Sequence, residues 1–301
     1  MPRYALLADI HGNLDALEAV LSDLDNRQVS AKCFLGDIVV YGPEPSACLA
    51  RLREALGDWV TSHMSTVIAG NNDYDVGLDI SPEDVVEDIA EMARRRGLSE
   101  SEEKEWKARI DATRLSHEWT RNKLGPEERD VLRALNTGPQ WIRDEEFDIL
   151  LVHASPCEPI GTEGNYLRGT QDAEEAFLCF EEPICLFAHT HHAGVFRAAA
   201  EEQIGGRLYD NCEYLPFRGF PDGKPRALGI DERRLLVNPG SVGQPRDRDN
   251  RASYAILDSD EAVIEFYRVQ YDVDSALRKL EESDLEAKFT EVLANRLKEG
   301  A

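Results

Sequence analysis

The sequence is short of positive charge. Thirty-four Lys and Arg residues stand against 58 Asp and Glu residues, which gives a formal net charge of -24 over 301 residues. Non-specific nucleic-acid binding needs a basic face that neutralises phosphates, and adhesion to an anionic membrane needs a polybasic patch. We therefore expect neither kind of binding. The composition leaves open whether the acidity reflects a high-salt environment.

The chain also lacks a C-x-x-C pair and any apolar run near the roughly twenty residues that a membrane span needs. Its six cysteines have the spacing of neither a zinc ribbon nor a thioredoxin-like motif, so we expect buried, reduced thiols. The first apolar run ends at Asp9, too early for a secretory signal peptide. These absences predict a cytoplasmic protein. The sequence does not indicate an oligomeric state.

What is present is an alternation of strand-like and helix-like segments. Apolar runs at 4–8, 31–35, 66–69, 147–152 and 184–187 predict strands, and helical patterns follow several of them. After residue 193, short runs at 194–199, 208–209, 235–237, 253–257 and 263–269 predict an antiparallel meander, and helical patterns at 273–282 and 284–298 end the chain. We predict one domain over residues 1–301, with a charged helical insertion at about 75–130.

Each of the five apolar runs is followed by Asp, Asn or His. If the runs are neighbours in one sheet, the loops beyond their carboxyl ends form one crevice. The side chains that would meet there are Asp9, His11, Asp37, Asn71, His153, His189 and His191. Imidazole and carboxylate suit Mn, Fe, Co, Ni or Zn. Seven ligands are too many for one ion and fit two divalent ions that share a bridging carboxylate.

Each of these residues also has a structural interpretation. Asp9 or Asp37 could be the N-cap of a following helix, and 70–73 could be only a turn. His63 and His117 stay unassigned, since a lone histidine is usually a surface or core residue. Four of the seven histidines are candidate ligands in three strand-end loops, and this grouping favours the metal site.

Five motifs give the sequence a family resemblance. They are Asp9-x-His11, Gly36-Asp37, Gly70-Asn71-x-Asp73, Val152-His153 and His189-Thr190-His191, and the stretches 36–43 and 238–246 add to them. In order and approximate spacing they resemble the calcineurin-like metallophosphoesterases, in particular the small bacterial and archaeal phosphodiesterase branch. The resemblance covers about residues 1–73 and 130–270. It implies an α/β (α+β) fold, a four-layer α-β-β-α sandwich of two mixed sheets flanked by helices.

The resemblance also implies roles. One metal would be held by Asp9, His11 and His191, the other by Asn71, His153 and His189, with Asp37 as the bridge. Backbone N–H groups of the loop 238–246 would approach phosphate oxygens. Asn72 and Arg246 are candidates for substrate binding, and Asn72 and Asp73 for catalysis. The implied activity is hydrolysis of a small phosphate ester by a bridging hydroxide that attacks phosphorus in line.

The sequence departs from the family pattern at three positions. Asn72 stands where many relatives have a histidine that contacts phosphate, and an amide cannot transfer a proton. His192 or Asp73 could then supply the acid. Ala154 and Ala188 stand where glycine is common, and we expect them to alter pocket shape without abolishing metal binding.

The substrate class stays open at this stage. A phosphodiester, a phosphomonoester, a protein Ser/Thr phosphate and a dinucleoside polyphosphate all fit the ligand set. The alternative from another class is a non-catalytic scaffold that keeps the fold, although scaffold-type relatives tend to lose ligand histidines.

Overall fold

Residues 2–56, 65–80, 100–143, 145–161, 166–199, 212–217 and 224–300 are described by the computed structural model of the protein. The strands in these ranges are β1 (Arg3–Leu7), β2 (Ala31–Phe34), β3 (Ser65–Val67), β4 (Gln140–Arg143), β5 (Asp148–Leu151), β6 (Ile184–Leu186), β7 (Gly194–Arg197), β8 (Glu213–Pro216), β9 (Arg226–Gly229), β10 (Leu235–Asn238), β11 (Ala252–Asp258) and β12 (Val263–Val269). The helices are α1 (Leu14–Leu24), α2 (Pro45–Leu56), α3 (Asn71–Gly77), α4 (Glu100–Lys123), α5 (Pro126–Ala134), α6 (Thr170–Ala176), α7 (Val273–Glu282) and α8 (Ala287–Glu299).

The strands form two mixed sheets of six strands each. Their orders are β3-β2-β1-β11-β12-β9 and β4-β5-β6-β10-β7-β8. In the first sheet β1, β2 and β3 are parallel, and β1 also pairs with β11 in the antiparallel direction. In the second sheet β5, β6 and β10 are parallel. Two mixed sheets with flanking helices confirm the predicted α/β fold.

Alternation along the strands creates the layers, because successive side chains point to opposite faces of a sheet. Leu6 belongs to a core that contains residues of both sheets, whereas Leu7 belongs to a core shared with α1, α2, α7 and α8. In the second sheet, Leu151 packs in the same core as Leu6, between the two sheets. Its neighbour Leu150 packs in a third core, together with α6. Three apolar cores therefore separate helices, sheet, sheet and helix.

The structure corrects the sequence-based strand arrangement in two respects. The five runs that end in polar residues are not neighbours in one sheet, because β1–β3 lie in one sheet and β5 and β6 in the other. The expected meander is also wrong in part, since β10 pairs parallel with β6 as well as antiparallel with β7. The strands β4, β8 and β9 were not predicted, and the expected run at 208–209 lies outside the described residues.

The segment expected to be a helical insertion contains α4 and most of α5, and its residues 81–99 lie outside the described ranges. A line of polar side chains on α4 is buried at helical spacing: Thr113, Ser116, His117 and Thr120. This line faces the first half of the chain, where the Oγ of Ser116 accepts a hydrogen bond from the backbone N–H of Tyr41 at 2.8 Å. None of the described helices is long and apolar enough to cross a membrane.

The expectation of reduced thiols is wrong for two of the six cysteines. Cys157 and Cys179 form a disulfide, whereas Cys33, Cys48 and Cys185 are free and buried, as expected. Position along the sequence did not reveal the pair because 22 residues separate the partners. Structural disulfides are more common in oxidising compartments. The cytoplasmic location therefore stays a prediction.

Candidate metal centre

The loops that follow the strands hold their polar residues in an unusual backbone conformation. Five of the candidate ligands have positive φ angles: Asp9 (53°), His11 (49°), Asp37 (60°), His189 (62°) and His191 (60°). Residues other than glycine adopt this backbone conformation at an energetic cost, and such residues cluster at functional sites. The fold therefore holds these five side chains in place against local preference.

Hydrogen bonds between loops hold the strained conformations. The backbone N–H of Asp9 donates to Gly36 O at 2.9 Å, and that of His11 donates to Asp37 O at 3.0 Å. Gly36 has a φ of +92°, and a Cβ there would lie only 2.3 Å from the backbone nitrogen of Gly70. Only glycine lets the loops after β2 and β3 approach this closely. The Gly-Asp motif is thus required by the contact between loops.

The candidate ligands form two buried groups with one shared member. The first group is Asp9, His11, Asp37 and His191, and the second is Asp37, His153 and His189. In each group one ligand atom per residue lies within 4.8 Å of the others. The Oδ2 atom of Asp37 is 3.6 Å from His11 Nε2 and 3.5 Å from His153 Nε2. Asp37 therefore lies where a bridging carboxylate would lie.

Three of the histidines have their tautomer fixed by backbone carbonyls. The Nδ1 of His11 donates to Val39 O at 3.2 Å, that of His153 donates to Leu35 O at 2.6 Å, and that of His191 donates to Gln244 O at 2.5 Å. A carbonyl oxygen can only accept, so Nδ1 carries the proton. The Nε2 atom is then available as a ligand, and the second hydrogen bond orients the ring.

Asn72 and Asp73 have different contacts. Asn72 donates to Asp37 twice, from its backbone nitrogen at 3.0 Å and from Nδ2 at 2.6 Å. Asp73 accepts from the backbone N–H groups of Ile38, Val39 and Gly70. The amide of Asn72 thus orients the shared carboxylate. Since both oxygens of Asp73 are engaged by the backbone, we assign it no proton transfer.

Several buried polar atoms of the site lack a hydrogen-bond partner among the described residues, and this shows whether the site fits metal ions. Both carboxylate oxygens of Asp9, Oδ1 of Asn71 and Nε2 of His153 are buried without a hydrogen-bond partner among the described residues. Buried polar atoms are nearly always hydrogen-bonded, and each exception needs a reason. Carboxylate, amide oxygen and imidazole are ligands for divalent transition metals. The orphaned atoms and the donor chemistry therefore fit metal ions.

Burial and mutual charge set the protonation states of the groups. Burial lowers the pKa of His11 to about 3 and that of His191 well below its usual value. Burial raises the pKa of Asp9 to about 8. Burial would also lower the pKa of His153, but the Asp37 carboxylate raises it to about 9. Ligands bind metals in their deprotonated forms. A metal ion would therefore meet His11 and His191 already deprotonated at neutral pH, whereas it would have to displace a proton from Asp9 and from His153.

The loop 238–246 lies beside the centre, but not as the resemblance implied. The backbone N–H groups of Val242 and Gly243 donate to Ala8 O and Asp9 O, and that of Arg246 donates to His191 O. These amides are already engaged, so the expected backbone contact with phosphate is wrong for them. The side chain of Arg246 is a better candidate, because its buried Nε has no hydrogen-bond partner among the described residues.

Sequence reasoning missed two tyrosines that lie against the ligands. The ring of Tyr41 is 4.8 Å from that of His11, and the ring of Tyr166 stacks on that of His189 at 4.3 Å. Tyr41 has a φ of 71°, and it belongs to the stretch 36–43 that supported the resemblance, so a signal for it existed. Tyr166 is in no motif.

The sequence analysis also singled out Ala154, Ala188, His117 and His63. Ala154 and Ala188 are buried and keep negative φ angles, so neither methyl group strains the backbone. His117 is buried on α4, where its Nδ1 donates to Thr113 O at 2.9 Å, and it belongs to neither ligand group. His63 lies outside the described residues.

Comparison with known proteins agrees with this geometry. Residues 3–262 match the calcineurin-like phosphoesterase superfamily domain. An uncharacterized protein of Methanocaldococcus jannaschii is 27% identical over 283 residues, which cover 92% of this chain and 90% of that protein. The crystal structure of a metallophosphoesterase from Sphaerobacter thermophilus is 29% identical and has a TM-score of 0.70, with 100% of this chain and 99% of that chain covered. A hypothetical protein of Pyrococcus horikoshii OT3 shares the fold, with 20% identity, a TM-score of 0.66 and coverage of 97% and 98%.

Proposed function

Because the chain belongs to the calcineurin-like phosphoesterase superfamily and is a metal-dependent phosphoesterase, we propose that it hydrolyses a small phosphate ester with two divalent metal ions. The observation that carries this proposal is the pair of buried ligand groups with Asp37 in common. A single ion would leave one of the groups unused. The metals we expect are Mn, Fe, Co, Ni or Zn, since mixed imidazole and carboxylate ligands suit these ions.

Six of the residues divide between the two ions as the two ligand groups divide, and the family resemblance adds Asn71 to the second. Asp9, His11 and His191 would hold the first ion, Asn71, His153 and His189 would hold the second, and Asp37 would contact both. Two such ions would activate a water molecule for attack on phosphorus and neutralise charge on the phosphate oxygens. Asn72 keeps the shared carboxylate in place through its two hydrogen bonds to Asp37.

Local charge supports an anionic substrate despite the net charge of -24. Only two of the seven proposed ligands, Asp9 and Asp37, are carboxylates, so two divalent ions would leave the centre positive. Arg246 adds a further cation: after burial itself, its charge is the largest cause that lowers the pKa of His191. We propose that Arg246 binds a phosphate oxygen of the substrate.

Asn72 is, with Arg246, one of the two sequence-based candidates for substrate binding, and it lies close to the shared carboxylate of Asp37. Its amide can donate a hydrogen bond to a phosphate oxygen but cannot protonate a leaving group. We therefore propose that the enzyme favours esters and anhydrides whose leaving groups need little proton assistance. The complete donor set argues against a non-catalytic scaffold, which would not need all four histidines.

The test combines metal analysis with turnover. The protein as isolated, and after reconstitution with Mn, Ni, Zn or Mg, is analysed for metal content and assayed on nitrophenyl mono- and diesters. We expect about two ions per chain and activity that disappears with a chelator. His191→Ala and His189→Ala should each reduce the content toward one ion, because each removes a ligand from a different group.

His192→Ala is the matched control for the metal content, since His192 adjoins His191 but belongs to neither ligand group. It should retain about two ions. Full metal content in both His191→Ala and His189→Ala, or turnover that survives complete metal removal, would contradict the proposed function.

A further inference from the structure

A cavity of about 560 Å³ adjoins the candidate metal centre. Its lining includes Tyr41, Tyr166 and Arg246, which are the residues that contact or adjoin ligand histidines. A cavity of this size is in the range of small-molecule sites. It is larger than a reacting phosphate needs, so it has room for the rest of the substrate.

The charge of the cavity is opposite to that of the chain. Three arginines, Arg168, Arg246 and Arg296, line it, whereas no Asp or Glu is among its described lining residues. The whole sequence has 58 acidic residues and 34 basic ones. A described lining with three arginines and no carboxylate, in so acidic a protein, indicates an anionic ligand.

Two of the arginines lie one aromatic ring away from the ligand groups. The guanidinium carbon of Arg296 is 5.5 Å from the ring centre of Tyr41, and that of Arg168 is 4.6 Å from the ring centre of Tyr166. Each tyrosine packs on a histidine of a different ligand group, and both tyrosines and both arginines line the same cavity. The arginines are placed to meet a second anionic group of the same substrate.

An aromatic surface completes the cavity wall. Tyr214 on the edge strand β8 is 37% exposed, and its ring stacks on that of the buried Phe196 at 4.5 Å. A Cβ at Gly194 would lie 2.7 Å from the Tyr214 ring, so the glycine lets the tyrosine lie against the backbone of β7. The partly exposed ring, held from behind, is a platform on which a planar group can stack.

We propose that the cavity binds the arm of a nucleotide substrate, with the base stacked on Tyr214 and a second phosphate held by Arg168 and Arg296. The substrate class is then a nucleoside ester or anhydride with at least two phosphates, one of which lies at the metal centre. The inference rests on the proposed function, because it assigns the second binding region of the same site.

The chemistry of each contact supports this assignment. Nucleobases stack on aromatic side chains without strict sequence preference, since every base has a π-face. Arginine binds phosphate through parallel N–H donors and is therefore frequent at phosphate sites. A substrate with one phosphate and an aliphatic arm would use neither the platform nor the two outer arginines.

The first experiment compares competitive inhibitors that differ by one part. ADP, AMP, ribose 5-phosphate and inorganic phosphate are tested against hydrolysis of methyl 4-nitrophenyl phosphate by the reconstituted enzyme. We expect AMP to bind about tenfold or more tightly than ribose 5-phosphate, which lacks the base. ADP should bind more tightly than AMP because it adds the second phosphate.

Variants then test which residues cause each of these differences in affinity. Tyr214→Ala should abolish the preference for AMP over ribose 5-phosphate, and Tyr214→Phe should restore it. The double variant Arg168→Gln/Arg296→Gln should abolish the preference for ADP over AMP. Trp141→Ala and Arg143→Gln are matched controls on the other edge strand of the same sheet, where both side chains are exposed, and they should change neither preference.

Calorimetric titration of AMP and ribose 5-phosphate gives a second readout that does not require turnover. Equal binding of AMP and ribose 5-phosphate, or a base preference that survives Tyr214→Ala, would overturn the inference while the metal-dependent hydrolysis stands. Absence of metal-dependent turnover on every ester would instead contradict the proposed function, and the titration would still decide whether the cavity binds a nucleotide.

Discussion

Replacement of Asp37 with asparagine should remove both metal ions, because its side chain belongs to both ligand groups. The side chain is 1% exposed. Asparagine has nearly the same volume, so the change removes charge and one oxygen with little change in packing. One side-chain oxygen can still accept from the backbone N–H of Asn72, but the new NH₂ group cannot accept from the Asn72 amide.

The loss of metal affinity expected for Asp37→Asn can be estimated from the charge alone. A pair of unit charges about 4 Å apart is worth about 4 kcal/mol at an effective dielectric constant of about 20. This corresponds to about a thousandfold in affinity, and Asp37→Asn removes such a contribution from both ions. Asn71→Ala removes a neutral oxygen from one ion only. Its effect should therefore be smaller and confined to one site.

Metal content and thermal unfolding measure the difference. Each site filled at a hundred times its Kd stabilises the folded protein by about 2.7 kcal/mol, so two sites give about 5 kcal/mol. For a chain of this size, that raises the Tm by about 8 °C. We expect the rise to vanish in Asp37→Asn and to fall by about half in Asn71→Ala. Turnover should fall further in Asp37→Asn than in Asn71→Ala.

Asp73→Asn is the matched control, since Asp73 is a fully buried carboxylate near Asp37 that belongs to neither group. Burial raises the pKa of Asp73 to about 7. The variant should have a lower Tm because asparagine cannot accept all three backbone hydrogen bonds, yet it should keep two ions. Two tightly bound ions and near-normal turnover in Asp37→Asn would refute the two-metal arrangement.

Three further perturbations test other parts of the structure. Asn72→His should raise turnover of alkyl esters more than that of aryl esters, because general acid catalysis typically contributes about 10²–10⁴-fold; a shallow dependence of log rate on leaving-group pKa in the wild type would contradict this. Ser116→Ala leaves the buried N–H of Tyr41 without its acceptor and should cost about 1–3 kcal/mol in urea unfolding, whereas an unchanged midpoint would show that the bond is not needed. Cys157→Ser should cost about 3 kcal/mol through loss of the bond to Cys179, and a reductant should lower the Tm of the wild type to the same extent; a Tm that neither change lowers would contradict this.

The sequence alone indicated the candidate ligands, because each lies within a few residues of a strand end. A buried strand is visible as an apolar run, and the polar residue that follows it is adjacent in the chain. The residues Asp9, Asp37 and His153 could therefore be identified from local pattern. The same local logic identified the closing helices, whose apolar residues recur at helical spacing.

The division of the strands between two sheets could not be read from local pattern. Strands β1 and β11 are neighbours although some 250 residues separate them in the chain, and periodicity carries no information about partners at that distance. The condition that the five runs are neighbours in one sheet is not met for this reason, whereas the two mixed sheets that the resemblance implied are present. The ligands still converge, because loops from both sheets end on the same side of the molecule.

The cavity beside the metal centre could not be predicted from the sequence and is visible only in the tertiary structure. The cavity brings together Tyr166 and Arg168 from the loop before α6, Tyr214 from strand β8 and Arg296 from helix α8. No spacing along the chain connects these three elements. Metal ligation is chemically restrictive, since few side chains can do it, and such residues stand out in a sequence. Stacking and ion pairing use side chains that are common on any surface, so only their convergence in space distinguishes them.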